Sequence, residues 1–226
     1  MDKLITVDDL RHDEEVQLLL KTSENQLEAM GYTEHSLRHV SLVSKRAGQI
    51  IREIGGSERE IRLAEIAGYL HDIGNAINRE DHGQSGAILA YTMLKERKQP
   101  LTDCAEVLIA IGNHNEREGF PVSRIASALI LADKSDVDRS RVRKNVLGWD
   151  KLKSDIHDRV NYAATGSNIK VDSNRKAIIF EFTIDIDICS VMDYFEIFIK
   201  RMKLCEVSAK YLGYTFELYI NGQKVA

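Results

Sequence analysis

The sequence predicts a mainly α-helical region followed by a small α+β region. Up to about residue 150 the apolar residues recur at three- and four-residue spacing, the period of an amphipathic helix, and the chain of 226 residues contains only two prolines. Beyond about residue 158 the period changes to two, as in the segment FEFTIDIDI, which is typical of half-buried strands. We therefore expect a helical bundle over residues 1–150 and a strand–strand–helix–strand appendage over residues 151–226.

Glycines and capping residues set the expected limits of the helices in the first region. The six expected ranges are 8–30, 33–54, 57–70, 83–97, 102–113 and 123–137. The third helix opens with a capping box of Ser57 and Glu60. Thr102 and Ser123 are the expected N-caps of the last two. A weaker helical segment surrounds residues 149–159.

Alternating apolar residues predict the elements of the second region. One strand is expected over residues 180–188, and its partner lies within 159–171. A helix capped by Ser190 follows, and residues 214–220 form the last strand. Unpaired strand edges invite pairing with another chain, so we interpret this region as an oligomerisation element, with a homodimer as the hypothesis.

Composition and charge exclude several classes of partner. The 31 basic and 35 acidic residues give a formal net charge of −4, which provides no general attraction to nucleic acid or to acidic membranes. No stretch approaches the ~18 apolar residues of a membrane span, and the N-terminus lacks the apolar core of a signal peptide. Cys104, Cys189 and Cys205 lack the spacing of a disulfide framework or zinc site. We therefore expect a cytoplasmic protein that binds neither nucleic acid nor membranes.

Three His-Asp dipeptides occur in the chain, and their contexts separate them. His71-Asp72 directly follows the apolar helical run IRLAEIAGYL, whereas the dipeptides that begin at His12 and His157 lie in polar stretches. An ionisable pair at the end of a buried helix carries a large desolvation penalty unless something binds it. A metal ion supplies that compensation, so we interpret His71 and Asp72 as metal ligands.

Other polar groups beside apolar helical runs are the candidate partners of this pair. They are His39, His82, His114 and Asp133. Imidazole and carboxylate donors without thiolate suit iron, manganese, cobalt, nickel or zinc, of which iron or manganese is favoured here. His39, His71, Asp72 and Asp133 alone would hold one divalent ion. With all six donors the chain would hold two ions, bridged by Asp72.

Alternatives remain for some of these ligands. His35 lies four residues before His39, on the same face of the expected helix, and is either a rival ligand, a neighbour of the substrate or a surface residue. Asp136 and Asp138 are the alternatives to Asp133. For the two later histidines the alternative is a hydrogen-bonded imidazole at a helix end.

In combination, these residues resemble the HD superfamily of metal-dependent phosphohydrolases. The residues that carry the resemblance are, in chain order, His39, His71 and Asp72 in GYLHDIGN, His82 in HGQSGAILA, His114 in IGNHNE and Asp133 in LILADKSD. The later histidines resemble those of a dinuclear subgroup that hydrolyses diadenosine polyphosphates and cyclic dinucleotides. The similarity covers about residues 30–140. It implies an HD-domain helical bundle with a centre of one or two ions and with Asp72 and His71 as catalytic residues.

The resemblance also implies an activity, which is hydrolysis of a phosphoester or phosphoanhydride through metal-activated water. The expected substrate is a nucleotide or another small phosphorylated metabolite. Asn75 stands where many relatives carry a lysine that reaches phosphate, so phosphate contacts would fall to Arg38, Arg79 or Lys134, with His35 near the substrate.

Two departures separate the chain from particular branches of the superfamily. It has no GYP element after the His-Asp pair, unlike the cyclic-di-GMP branch, and the interval from Asp72 to His82 is short for the diadenosine polyphosphate enzymes. Two other functions stay open. One is a di-iron oxygenase with the same fold and ligands, and the other is a regulatory module that binds metal or nucleotide without turnover.

Overall fold

The computed structural model describes residues 3–117, 119–143 and 155–226, and their order of elements confirms a mainly α-helical bundle with an α+β appendage. The helices of the first region are α1 Val7–Arg11, α2 Glu14–Ala29, α3 Leu37–Glu53, α4 Glu58–Leu70, α5 His82–Glu96, α6 Leu101–Gly112 and α7 Arg124–Lys134, with short 3-10 turns at Ile73–Ala76 and Arg139–Arg141. The second region comprises α8 Ile156–Ala163, β1 Ala164–Asp172, β2 Ala177–Ile184, α9 Val191–Tyr211, β3 Thr215–Ile220 and β4 Gln223–Lys224.

Helix α7 lies at the centre of the molecule. Every residue of this helix after Arg124 is buried, because α3, α4 and α6 pack against it within the bundle and α9 packs against it from the second region. Its apolar sequence IASALILA provides that contact surface on all sides. The helix therefore carries its last residues, Asp133 and Lys134, into the interior.

The first predicted helix is in fact two helices. Asp13 lies between α1 and α2, and its side chain accepts hydrogen bonds from the amides of Glu15 and Val16 at 3.1 and 3.2 Å. Aspartate at this position satisfies amides that have no partner inside a helix. The single helix expected over residues 8–30 was wrong because this local cap outweighs continuation of the apolar period.

Other helix limits were partly correct. The capping box of Ser57 and the N-cap Ser123 are confirmed. Helix α3 is capped by Ser36, so it begins four residues later than expected, and α6 follows Pro100 without a side-chain cap from Thr102. Helix α7 ends three residues before the expected limit. The segment expected over 149–159 falls partly outside the described residues, as does the domain boundary at residue 150.

The four strands form one sheet in the order β1-β2-β3-β4. Strands β1 and β2 are antiparallel, whereas β2 and β3 are parallel and are connected through α9. Strand β2 ends at Ile184, and Ile186 is 66% exposed, so the alternation expected up to residue 188 does not continue. Strands β2 and β3, which cover most of the strands expected to leave an open edge, each have a partner on both sides, and the edges of the sheet are β1 and β4.

The second region packs directly against the bundle. Buried Arg46 of α3 donates to the Ser135 hydroxyl at 2.9 Å and to the backbone oxygen of Ser167 in β1 at 2.7 Å. The Ser173 hydroxyl likewise donates to the backbone oxygen of Glu53 at 2.8 Å. No described helix has the length and hydropathy of a membrane span.

Candidate metal centre

Six buried polar side chains meet where the ends of several helices converge. His39 lies in the first turn of α3, His71 caps the C-terminus of α4, and Asp72 follows it. His82 begins α5, His114 follows the end of α6, and Asp133 lies near the end of α7. Each of the six has an exposed fraction of 9% or less.

The first group of donors contains His39, His71, Asp72 and Asp133. The Nε2 atoms of His39 and His71 are 3.3 Å apart. Oδ2 of Asp72 lies 3.6 Å from Nε2 of His39 and 3.3 Å from Nε2 of His71. Oδ1 of Asp133 lies 3.4 Å from Nε2 of His39 and 3.7 Å from Nε2 of His71. The four side chains therefore point their ligand atoms at one small volume.

The second group shares Asp72 with the first. The other oxygen of this carboxylate, Oδ1, lies 3.6 Å from Nε2 of His82. The Nε2 atoms of His82 and His114 are 3.2 Å apart. Asp72 thus offers one oxygen to each group, which is the arrangement of a bridging carboxylate between two cation positions.

Outer hydrogen bonds fix the tautomer of all four histidines. Nδ1 of His39 donates to the carboxylate of Asp136 at 2.7 Å. In the other three rings Nδ1 donates to a backbone oxygen, from His71 to Gly68 at 2.9 Å, from His82 to Arg79 at 3.0 Å and from His114 to Ile111 at 2.6 Å. Since a carbonyl or carboxylate oxygen only accepts, Nδ1 of each ring carries a proton, and in the neutral imidazole Nε2 presents its lone pair to the donor cluster.

This arrangement is unfavourable without a cation. Two pairs of Nε2 atoms face each other at 3.3 and 3.2 Å, and Oδ2 of Asp72 is buried without a hydrogen-bond partner among the described residues. Buried polar groups are normally paired. Divalent ions between these atoms would satisfy the lone pairs and the carboxylate together, so the donor set fits a divalent metal centre.

The protonation states of the candidate ligands also suit metal binding. Burial would raise the pKa of Asp72, but the charges of neighbouring histidines, His71 first, hold it well below its usual range. Burial also lowers the pKa of His82 to about 4 and that of His114 well below its usual range. Near neutral pH these carboxylate and imidazole groups therefore carry the protonation states that bind metals.

His71 differs from the other two histidines. Its pKa is raised, because the charges of Asp72 and Asp133 outweigh the effect of burial. The electrostatic field at its Nε2 therefore favours a positive charge there. The same two carboxylates would stabilise a cation bound beside this nitrogen.

A narrow polar cleft opens beside these donors. Its lining combines ligand side chains with residues from the surrounding elements, and these are His35, Asp72, Arg79, His82, His114, Asn115, Glu116, Asp133, Lys134, Arg141 and Arg201. Arg79 donates to Asn75 at 3.3 Å and lies 3.9 Å from Oδ1 of Asp72. Lys134 pairs with Asp133 and lies 3.7 Å from Glu116.

Two of the substrate-binding candidates have other partners. Since α3 begins at Leu37, His35 lies outside the helix, and its Nε2 accepts a hydrogen bond from Arg141 at 2.9 Å. Arg38 is paired with Glu34 and with Asp136, both at 3.0 Å, and it does not line the cleft.

Sequence reasoning missed several residues of the site. Arg141, Arg201 and Glu116 were not considered, and Asp136 was considered only as an alternative ligand, whereas the structure gives it the outer hydrogen bond of His39. Asn75 donates to the backbone oxygen and to Oδ1 of Asp72, both at 2.9 Å. The signal for Asn75 was its position three residues after Asp72. Nothing local marks the two arginines.

Comparisons with known proteins give one family match and several relatives. A family model described as HD domain matches residues 33–139. Ribonuclease Y of Lawsonia intracellularis is 35% identical over 105 residues, which are 46% of this chain and 18% of that protein. Ribonuclease Y of the Aster yellows witches'-broom phytoplasma is 36% identical over 118 residues, 51% of this chain and 20% of that protein.

A longer match involves an uncharacterized protein of Methanocaldococcus jannaschii. It is 26% identical over 161 residues, which are 60% of this chain and 61% of that protein. The chain therefore spans about a fifth of the Ribonuclease Y proteins that it matches, and about three fifths of the archaeal relative.

Proposed function

Because residues 33–139 of this chain are an HD domain, we propose that the protein is a metal-dependent phosphohydrolase that cleaves a phosphoester or phosphoanhydride bond. The proposed substrate is a nucleotide or another small phosphorylated metabolite. The observation that carries the proposal is the pair of facing Nε2 contacts, at 3.3 and 3.2 Å, on either side of the Asp72 carboxylate.

The proposal assigns each ligand to one of two ions. One ion would be held by His39, His71, Asp72 and Asp133, and the other by Asp72, His82 and His114. Bound divalent ions would supply Lewis acidity and lower the pKa of a coordinated water. Iron and manganese are the proposed metals, since both accept mixed imidazole and carboxylate ligands.

The chain's own residues orient these groups. Asn75 holds Oδ1 of Asp72 through a hydrogen bond of 2.9 Å, which fixes the rotation of the shared carboxylate. Asp136 holds the ring of His39. Lys134 and Arg79 border the cleft on the side of the ligands, where their charges would stabilise negative charge on phosphoryl oxygens.

The relatives support the choice of bond. Proteins named Ribonuclease Y act on RNA according to their name, and RNA is joined by phosphodiester bonds. This similarity makes a phosphodiester a candidate substrate for the present chain. A substrate panel should therefore contain a generic phosphodiester, nucleoside mono- and diphosphates, a cyclic nucleotide and a short oligoribonucleotide.

The test removes the shared ligands and follows metal and turnover together. We expect His71→Ala and Asp72→Ala to lose bound metal, measured by elemental analysis, and to lose hydrolysis of the panel. His157→Ala is the matched control, because it alters the exposed histidine of another His-Asp dipeptide and should retain both properties.

Two outcomes would contradict the proposal. One is hydrolysis that persists in Asp72→Ala after the metal is gone. The other is turnover that requires oxygen, because a hydrolase works at the same rate anaerobically whereas a di-iron oxygenase does not.

A further inference from the structure

The second region contributes a charged side chain to the cleft. Arg201 lies on α9, outside the HD domain, and its guanidinium contacts both carboxylate oxygens of Glu116 at 3.0 and 3.4 Å. Glu116 is also 3.7 Å from Nζ of Lys134, which pairs with Asp133. A continuous row of charges therefore connects the proposed metal ligands to α9.

Arg141 is a second arginine of the cleft, and its hydrogen bonding is incomplete. Its exposed fraction is 5%. Nη1 donates to the backbone oxygen of Asp136 and Nη2 donates to His35, both at 2.9 Å. Its Nε is buried and has no partner among the described residues. Since buried donors normally have an acceptor, this group can still receive one from a ligand.

The two arginines also repel each other. Burial lowers the pKa of Arg141, and the positive charge of Arg201 lowers it further, against the opposing effect of Asp136. Like charges in a cleft of low dielectric constant are unfavourable. An anion between the two guanidinium groups would relieve this repulsion and supply the missing acceptor.

The charges of the described residues that line the cleft also favour an anionic ligand. The lining contains four cationic side chains, Arg79, Lys134, Arg141 and Arg201, and three carboxylates, Asp72, Asp133 and Glu116. The first two carboxylates are the proposed metal ligands, which leaves Glu116 as the remaining carboxylate of the lining, while Asp136, behind the lining, lies 3.8 Å from Nη1 of Arg141. The described lining contains no aliphatic side chain and no phenylalanine, tyrosine or tryptophan, so it suits a phosphate better than a nucleobase.

We propose that Arg141 and Arg201 bind a second, non-reacting phosphate of the substrate, beside the phosphate that is hydrolysed at the metal centre. This inference rests on the proposed function and narrows its substrate class to compounds with two neighbouring phosphates. Planar guanidinium groups bind phosphate through paired hydrogen bonds. The α+β region then completes the substrate site, with Arg201 as its specificity residue.

The test compares inorganic pyrophosphate with inorganic phosphate as ligands of the full metal-loaded chain, measured by isothermal titration calorimetry. Under the proposal, a single phosphate occupies either the metal centre or the arginines, whereas pyrophosphate contacts both at once. We expect the wild type to bind pyrophosphate more tightly. Arg201→Gln should reduce that preference on the order of 10- to 100-fold, the usual effect of losing a charged hydrogen bond.

Two further variants separate ligand binding from a structural role. Lys203→Gln removes an exposed charge of the same helix and should leave the preference unchanged. Glu116→Gln breaks the same ion pair as Arg201→Gln but frees both Arg201 and Lys134, so it should strengthen pyrophosphate binding. Equal losses in Glu116→Gln and Arg201→Gln would show that the pair only holds α9 in place, and would overturn the proposal.

Turnover then distinguishes this inference from the proposed function. If the wild type hydrolyses a nucleoside diphosphate, Arg201→Gln should raise KM for this substrate by a larger factor than KM for a single-phosphate ester. If the wild type hydrolyses the substrate but Arg201→Gln keeps the same preference for pyrophosphate, the second-phosphate site is refuted and the proposed phosphohydrolase function is not. Loss of that preference in a chain that hydrolyses nothing would refute the phosphohydrolase and retain the anion site.

Discussion

The orientation of His39 depends on one buried carboxylate. Asp136 accepts from Nδ1 of His39 at 2.7 Å and also pairs with Arg38 at 3.0 Å. Burial would raise the pKa of Asp136, but the hydrogen bond from His39 and the charges of Arg141 and Arg38 lower it. The residue therefore remains an anion and increases the basicity of the nitrogen that faces the proposed metal.

At the scale of this residue, we predict that Asp136→Asn weakens metal binding without removing any proposed ligand. The amide preserves the shape but loses the negative charge, and loss of such an outer partner typically lowers metal affinity about 10- to 100-fold. Competition with a chelator measures the affinity. Asp187→Asn, at an exposed aspartate of the second region, is the control, and equal affinities in the two variants would contradict the assigned role of Asp136.

At the scale of elements, Asp13, the residue between α1 and α2, links these two helices to α5. Asp13 caps α2 and also accepts from Nε and Nη2 of Arg97, the C-cap residue of α5, at 2.8 Å each. One carboxylate thus fixes a helix start and joins two helices. In the sequence, five consecutive polar residues, 11–15, separate Leu10 from Val16, and the capping preference of aspartate indicates the break at this point.

We predict that Asp13→Ala lowers the free energy of unfolding by about 1–2 kcal/mol, the usual cost of losing an aspartate N-cap. Denaturant unfolding measures the change. Glu14→Ala alters an exposed acid of the same helix turn and should cost less. A loss in Glu14→Ala that equals the loss in Asp13→Ala would attribute the effect to helix charge and not to the cap.

The same contact predicts a pH dependence. Burial raises the pKa of Asp13, but the hydrogen bonds from Arg97 and the backbone outweigh it, so the folded pKa lies below the ordinary 3.8. A group with a depressed folded pKa stabilises the protein above its unfolded pKa and loses that contribution as the pH falls toward the folded value. The stability difference between wild type and Asp13→Ala should therefore shrink below about pH 3.8, and a constant difference would contradict the assignment.

At the scale of the whole molecule, the two regions share one hydrophobic core. The buried cluster extends from α3, α4 and α7 to the sheet and α9 without interruption. Phe198 of α9 is 3% exposed and lies 5.0 Å from the ring of Tyr194, and the guanidinium of Arg201 lies 4.4 Å from its ring centroid. The packing that stabilises α9 thus also positions the arginine of the cleft.

A common core predicts one cooperative unfolding transition for both regions. Phe198→Ala should destabilise the whole chain by about 3–5 kcal/mol, the usual cost of truncating a buried phenylalanine. Helical circular dichroism and metal release should then report the same lowered midpoint. Ile199→Ala, at a 43% exposed neighbour, is the control. Metal release that keeps its original midpoint in Phe198→Ala would mean that the regions unfold independently.

Much of the bundle could be predicted from the sequence, because helix periodicity and capping are local properties. The capping box of Ser57 and the N-cap Ser123 appear in the structure as expected. The six candidate ligands were also recognisable, since each is a polar group beside an apolar run. Burial of such a group without a partner is costly wherever the chain folds, so this signal does not require knowledge of the fold.

The sequence by itself thus determined the helical bundle, the change of period and the residue types of the candidate ligand set. Only the tertiary structure decided that Asp136 supports His39, that His35 supports Arg141, and that Arg201 reaches the cleft from a region outside the HD domain. The physical reason is the separation along the chain of the residues that each kind of information concerns. Periodicity records the burial of each segment against an unspecified core, whereas the meeting of side chains 60 residues apart in the chain, such as Arg141 and Arg201, depends on how whole elements pack.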